Sequence, residues 1–282
     1  MVIIDKETQN RFISIMRENQ LAEGTIQRYL YSLSLLMAYA GNCLNDISHF
    51  CGFKGYLIEH GLSIPTMNGI IGNVNKFMKF LNVDWRIRRD KIQRQAFLPP
   101  DKELTADEYH KMLDEAMKRG NKRLAMILET LCGTGIRVSE LQFITVESLS
   151  IGRAEVLNKG KARTILISPS LVKNLTQYCV DKDIISGPIF VTRTGKPLDR
   201  SNIWKMLKRL GKLAGVVVGK VFPHNLRHLF ARTYYKMTHD LARLADILGH
   251  SSVNTTRIYT ANSGHEEQQF MDTLGLVPAL VN

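Results

Sequence analysis

The chain has 282 residues, enough for one large domain or two ordinary ones, and its 44% apolar content can bury a sizeable core, which excludes a disordered chain. Its 38 Lys and Arg against 26 Asp and Glu give a formal charge of +12, a balance that suits a polyanion such as nucleic acid, although charge alone does not distinguish that from a merely basic protein. No apolar run approaches membrane-spanning length, and the first residues, MVIIDKETQNRF, show no basic region followed by a long apolar core.

Residues 1–83 read as a domain of four helices. The first spans Glu7 to Asn19, with Phe12, Ile13 and Met16 on one side. The second spans Glu23 to Tyr39, with Ile26, Tyr29, Leu30, Leu33 and Met37 at helical spacing. A third is expected near Phe50 to His60, stopped by Gly61, and a fourth from Thr66 to Leu81, with Ile70, Val74, Phe77 and Leu81 apolar. No alternating strand pattern appears. Arg28 on the second helix and Lys76 on the fourth are candidates to reach DNA, although either could equally belong to a solvated face.

Composition then shifts. Residues 84–101, DWRIRRDKIQRQAFLPPD, carry Arg86, Arg88, Arg89, Lys91 and Arg94 and end in Pro99-Pro100. Basic residues and a double proline mark an extended linker whose cations are placed to meet phosphates. A second domain, residues 102–282, opens with a capping box from Thr105 to Glu108, followed by helices to about Arg119 and from Lys122 to Leu131. Thr134-Gly135-Ile136-Arg137-Val138-Ser139-Glu140-Leu141 follows. Ala154 to Ile167 reads as a β-hairpin turning at Asn158-Lys159-Gly160-Lys161. Ser201 is placed to cap a helix with an apolar side, Ile203, Trp204, Leu207 and Leu210. Its basic side, Lys205, Lys208, Arg209 and Lys212, suits a groove or a row of phosphates.

The stretch Phe222 to Tyr259 holds the densest chemistry. His224 and Arg227 lie three apart, on one face of a helix started by Pro223. Asp240 is placed to cap a second helix that Gly249 ends, and Ser251 or Ser252 to cap a third that carries Tyr259 about two turns in. Leu248-Gly249-His250 precedes Tyr259 by nine positions. Two imidazoles, a guanidinium and a phenol all suit a phosphate. Only Asp240 and Asp246 are acidic in this stretch, too few for a hard metal ion, so no metal is expected. No Gly-Lys-Ser or Gly-Lys-Thr points to ATP, and no cofactor is expected. Cys43, Cys51, Cys132 and Cys179 form no Cys-x-x-Cys and read as buried thiols in a reducing cytosol. Beyond Tyr259, Ser263 and Glu266 suggest a further capping box, a short helix to Gly275 and an apolar tail, Leu276 to Val281.

In order and spacing, the Thr-Gly-Ile-Arg-x-Ser-Glu-Leu box, the His-x-x-Arg, the Leu-Gly-His and the tyrosine nine residues later resemble the tyrosine recombinases, the phage-integrase and Xer family. The flanking Ser251, Ser252, Thr255 and Thr256 extend the match. The resemblance implies a mainly α fold with a small β-sheet in the C-terminal domain. A helical core-binding domain and an α/β catalytic domain would clamp a duplex between them. It implies a short, Xer-like member with no arm-binding domain ahead of the first helix. Arg137 and Arg227 would clamp the scissile phosphate, His250 would donate to it, and His224 would take or relay the Tyr259 proton. Lys159, with Lys161 as the competitor, would protonate the departing 5′ oxygen. Glu140 is expected to support Arg137 or the backbone rather than to react.

The implied partners are double-stranded DNA with an inverted-repeat core site and three further copies of the chain, in a tetramer on two sites, with no membrane involved. The implied setting is the nucleoid in the cytoplasm. Two rival readings are a nicking topoisomerase and a helix-turn-helix binder, the latter leaving Arg137 and the hairpin lysine unexplained. Charge reversal at Lys208 is expected to weaken duplex binding and flatten its salt dependence; a titration at several salt concentrations that finds unchanged affinity refutes that.

Overall fold

The structure is a computed structural model that describes residues 1–92, 102–158, 161–192, 194–250, 252–259, 271–274 and 276. It divides into two units, Met1–Arg94 and Gln95–Asn282.

In the first unit, α1 (Lys6–Glu18), α2 (Glu23–Ala40), α3 (Ile47–Glu59) and α4 (Ile64–Phe80) enclose one core. Asp5 caps α1 by accepting from the Thr8 amide at 2.9 Å, and Asp46 caps α3 through His49 at 2.8 Å. Asp46 moves the start of α3 three residues ahead of the expected Phe50. Phe12 of α1 meets the ring of Phe77 edge-on, with centroids 5.2 Å apart, amid Ile26, Leu33, Phe53 and Val74. A two-residue pair, β1 (Val2–Ile3) with β2 (Cys43–Leu44), closes one end. It is too short to produce a period-two pattern, which is why no strand is read there from sequence.

The first half of the expected linker is not free. Residues 84–92 run along the first unit as a strap, with Ile87 buried. Asn75 donates to the Ile87 carbonyl at 2.9 Å and accepts from its amide at 3.0 Å; Asn68 does the same for Asp90, both at 2.9 Å. Asp90 also pairs with Lys54. A carboxamide carries the same donor and acceptor as a peptide group. Two of them, two helical turns apart on α4, therefore replace the neighbouring strand this segment lacks.

The second unit contains α5 (Ala106–Lys118), α6 (Lys122–Thr134), a 3-10 turn (Val138–Phe143), α7 (Val146–Ser150), a hairpin of β3 (Arg153–Asn158) and β4 (Lys161–Leu166), and α8 (Pro169–Asp181). It continues with α9 (Arg200–Leu213), α10 (Pro223–Thr238), α11 (Leu241–Leu248), α12 (Val253–Thr256) and a last 3-10 turn (Arg257–Tyr259). The Thr105–Glu108 capping box forms, with bonds of 3.1 and 2.9 Å. Helix α6 is apolar nearly all round, burying Leu124, Ala125, Ile127, Leu128 and Leu131, and accordingly packs against α5, α8 and α10. The hairpin runs antiparallel from Arg153↔Leu166 to Asn158↔Lys161, with Ala154, Val156 and Ile165 turned inward.

Ser201 does not cap α9. Asp199 does, accepting from the amides of Ser201 at 2.7 Å and Asn202 at 3.3 Å, so the helix starts at Arg200. A carboxylate outcompetes a hydroxyl here because it also favours the positive end of the helix dipole. The expected capping box at Ser263 and Glu266 lies outside the described residues, as does the apolar tail except Leu276. Among the described residues no helix is long and apolar enough to cross a membrane.

Replacing Asn75 with Ala is expected to cost the full chain about 1–3 kcal/mol, because the buried Ile87 amide and carbonyl lose their partners. Urea unfolding followed in the first unit, with its Trp85 as the probe, measures the loss.

Candidate active site

Helix α10 begins with Pro223 in its first turn, where a missing N–H costs nothing. One turn on, Arg227 enters the interior with 1% of its surface exposed. Its guanidinium donates to the Gly135 carbonyl at 2.6 Å and to the Leu248 carbonyl at 2.7 Å. These are the C-terminal ends of α6 and α11, each closed by a left-handed glycine, Gly135 (φ 62°) and Gly249 (φ 63°). Carbonyls there lack intrahelical donors and sit at the negative end of a helix dipole. Gly135 serves a second need, because a Cβ at this position would run into the Phe230 ring. Burial, and after it the charge of Arg137, lowers Arg227 to about 10, while the neighbouring Tyr259 phenol opposes the shift. It therefore stays charged at neutral pH. Its Nε is buried without a partner among the described residues.

Arg137 stands at the head of the 3-10 turn with 37% of its side chain exposed. Glu140, only 1% exposed, accepts from the Arg137 amide at 2.9 Å and from its Nη1 at 3.0 Å. A second guanidinium, Arg163 of β4, bonds the same carboxylate. Burial alone would raise the Glu140 carboxyl, but the bonds from Arg163 and Arg137 outweigh it and hold the group below the usual carboxylate range.

His250 follows the α11 glycine. Its Nε2 lies 3.0 Å from Arg227 Nη2 and its Nδ1 lies 2.8 Å from the Thr256 hydroxyl. Arginine only donates, so Nε2 accepts, and the neutral ring carries its proton on Nδ1 toward Thr256. Burial first, then Arg227 and Arg137, lower His250 to about 4. Tyr259, 3% exposed, stacks on His250 at 6.0 Å and meets His228 edge-on at 4.9 Å; His228 in turn meets His224 at 4.8 Å. The same order of causes, burial and then Arg227 and Arg137, lowers His224. Burial and then His224 lower His228 to about 4. Tyr259 sits in a 3-10 turn after the single turn of α12 rather than two turns into one helix, and Ser252 provides the cap through the Asn254 amide.

A cleft of about 290 Å³ opens beside this centre, lined by Arg137, Ser139, Arg200, Trp204, His224 and Arg227 among others. Five of the six expected catalytic residues, Arg137, His224, Arg227, His250 and Tyr259, thus converge. Lys159 lies outside the described residues, as does the side chain of Lys161. Among the described residues no group of three or more His, Cys, Asp or Glu gathers as a metal site. On α9, Lys205, Arg209 and Lys212 are exposed. Lys208 is half-buried, bonds the Val218 carbonyl and lies over the rings of Trp204 and Phe222. In the first unit, Arg28 folds back on Gly24 and Thr25, Lys76 lies over Tyr29, Arg86 pairs with Asp84, and Arg88 and Arg89 are exposed.

Sequence reading missed Arg163, Arg200 and His228. Arg163 had a legible signal, a charge at an inward position of an alternating strand. His228 lies one turn beyond His224 on the same face. The position of Arg200 followed from the cap that was misassigned to Ser201.

Residues 102–266 match the Phage integrase family. The chain is 29% identical over 287 residues to the tyrosine recombinase XerA of Pyrococcus furiosus, covering 98% of this chain and 96% of that protein. It is 30% identical over 273 residues to the tyrosine recombinase XerD of Staphylococcus aureus, covering 89% and 91%. A crystal structure of the XerH site-specific recombinase bound to its difH substrate, in a pre-cleavage complex, matches the fold with a TM-score of 0.69 at 22% identity, over 89% of this chain and 79% of that one. The chain belongs to the phage integrase family, the tyrosine recombinases.

Both His228 and His250 are held neutral in the fold, far below their ordinary 6.5. The unfolded chain binds their protons first, so the stability they carry is complete above about pH 6.5 and is lost as pH falls toward 4. Thermal unfolding should show Tm falling from pH 7 to 5, and falling less in His228→Gln; equal slopes in the two proteins would refute this.

Proposed function

We propose that the chain is a site-specific DNA recombinase that breaks and rejoins strands through Tyr259 without metal or nucleotide. A phenol has an unperturbed pKa near ~10 and attacks phosphorus only where its proton is taken and the developing charge is met. Arg137 and Arg227 would grip the non-bridging oxygens with planar forks of donors, as the cleft they both line supports. The Tyr259 proton would pass toward His224, and the ring of His228 stands between the two. His250 would hydrogen-bond a phosphoryl oxygen. Lys159, or Lys161 of the same turn, would give the proton to the departing 5′ oxygen. The new bond joins the Tyr259 oxygen to phosphorus, and the bond from phosphorus to the 5′ oxygen breaks, leaving a 3′-phosphotyrosine and a free 5′ hydroxyl.

One phosphodiester replaces another, so the step needs no outside energy. A 5′ hydroxyl from a second duplex reverses it onto the new strand. Two such rounds, through a Holliday junction, make recombinants for integration, excision or dimer resolution. The partners would be duplex DNA with an inverted-repeat core and four copies of the chain on two sites, in the cytoplasm on nucleoid DNA. The exposed Lys205, Arg209 and Lys212, with Arg28, Lys76, Arg86, Arg88 and Arg89, would contact backbone phosphates.

The observation that carries this reading is the buried Arg227, bonded to His250 while Tyr259 stacks on the same imidazole. Tyr259→Phe should abolish covalent capture of a nicked suicide duplex and leave binding intact. Arg227→Lys should lower capture about 10²–10³-fold. Capture that persists in Tyr259→Phe, or that needs a divalent ion, sinks the reading.

A further inference from the structure

The inward face of the β3–β4 hairpin carries Ala154, Val156 and Ile165, and at the position opposite Val156 it carries Arg163. Glu155, Thr164 and Leu166 point out to solvent. A guanidinium on the packed face of a strand is costly unless other groups meet its donors. Arg163 is 13% exposed; two distant elements meet its two Nη groups, and its Nε is buried without a partner among the described residues. Nη2 bonds Glu140, the carboxylate that also holds the backbone and side chain of Arg137. Nη1 donates to the Ile247 carbonyl at 2.7 Å, in the last turn of α11. Its Cδ lies over Gly249, so close that a Cβ there would collide with it.

We infer that Arg163 is a positioning residue that ties the lysine-bearing hairpin to the phosphate-gripping end of the site. It makes the strand that leaves the turn continuous with the Arg137–Glu140 pair on one side and with the corner that presents His250 on the other. The inference rests on the reading in which a lysine of that turn protonates the departing 5′ oxygen. An isolated two-stranded hairpin is only marginally stable, and this one is packed on its inward face by Ala154, Val156 and Ile165. Arg163 bonds this one at a point two residues past the turn. Removing it leaves Arg137 held by both of its Glu140 contacts but takes from the hairpin its bonds to Glu140 and to the Ile247 carbonyl. The expected defect is therefore in leaving-group protonation, not in phosphate binding.

The leaving group itself gives the test. The full chain is offered nicked duplexes recovered by selecting random-sequence DNA for covalent attachment to the wild-type protein. Each is made in two forms, one with the ordinary 5′ oxygen and one with sulfur at that bridging position. In both, the Tyr259 oxygen bonds phosphorus and the bond to the 5′ atom breaks. Sulfur departs as a thiolate and needs no proton, whereas oxygen does. Arg163→Lys and Arg163→Met should slow capture of the oxygen duplex about 10–100-fold, a part of what general acid catalysis supplies, and leave the sulfur duplex near the wild-type rate. Arg137→Lys should slow both. The ratio of the two rates is taken within one preparation, so an inactive fraction cancels. Equal slowing of both duplexes, or of neither, by the Arg163 variants overturns the inference. If Lys159→Ala and Lys161→Ala are both unrescued by sulfur, the general-acid reading falls, and the inference falls with it. A wild-type chain that captures no duplex removes the whole recombinase reading.

Discussion

One guanidinium organises the second unit. Arg227 is buried where two helices end, and its donors take the Gly135 and Leu248 carbonyls that α6 and α11 leave unsatisfied. Burying a lone cation in a protein interior costs several kcal/mol even after relaxation. Two helix C-termini, each carrying about half a negative charge, offset much of that cost without a carboxylate. A carboxylate would neutralise the arginine and compete with any incoming phosphate. Carbonyl dipoles leave its net charge in place. The two left-handed glycines follow from the same constraint, because each turns the chain away where a carbonyl, that of Gly135 itself in one case and of Leu248 just before Gly249 in the other, is aimed at Arg227.

The neighbouring cations obey a complementary rule. Arg137 and Arg163 do share a carboxylate, but Glu140 is almost fully buried and already accepts from both guanidiniums and from a backbone amide. One negative charge is thus spread over two positive ones. With Arg227 and Arg200 nearby, the cleft carries a surplus of positive charge fixed before any ligand arrives. Fixed donors that need no rearrangement stabilise a developing negative charge far better than mobile ones. An anion that entered the cleft would meet that surplus without first having to displace a carboxylate from Arg227.

Much of this was legible in the sequence, and what was not has identifiable reasons. Helices α1 and α2 were readable because apolar stripes at 3.6-residue spacing report a buried face directly, and α5 because its capping box is a local signal. Arg137, His224, Arg227, His250 and Tyr259 were readable because their spacing survives in one dimension. The strap over residues 84–92 was not, since an arginine-rich run looks like a solvated linker. What holds it are Asn68 and Asn75, whose carboxamides imitate a strand edge from the side of a helix. His228 and Arg163 escaped for a related reason. Their importance lies in what they touch, Tyr259 in one case and Glu140 in the other, and no spacing rule reports a contact between elements far apart in the chain. Asp199 was passed over for Ser201 because both residues fit an N-cap, and only geometry decides between caps two positions apart.

The two imidazoles that touch Tyr259, His228 and His250, and His224 behind His228 stand among the same fixed charges. Histidines beside a nucleophile are useful as bases only while neutral. Burial first, and after it the neighbouring positive charges, lower all three, His228 and His250 to about 4. The same depression would make them feeble proton acceptors if it persisted through the reaction. It does not have to. Burial is the larger cause and a bound phosphate leaves it in place, but the part that Arg227 and Arg137 add at His224 and His250 would be offset by the anion, so in the proposed reaction the phosphate that Tyr259 attacks also raises the basicity of those two rings. His250 illustrates the coupling, because its Nε2 lone pair accepts from Arg227 and would be freed if that donor turned to a phosphoryl oxygen. A free Nε2 could then carry a proton toward the phosphate, either as the other neutral tautomer or as imidazolium, and the Thr256 hydroxyl, which both donates and accepts, accommodates either state of the ring. In the proposed reaction, substrate binding and activation of the bases would therefore follow from one electrostatic arrangement rather than from two separate devices.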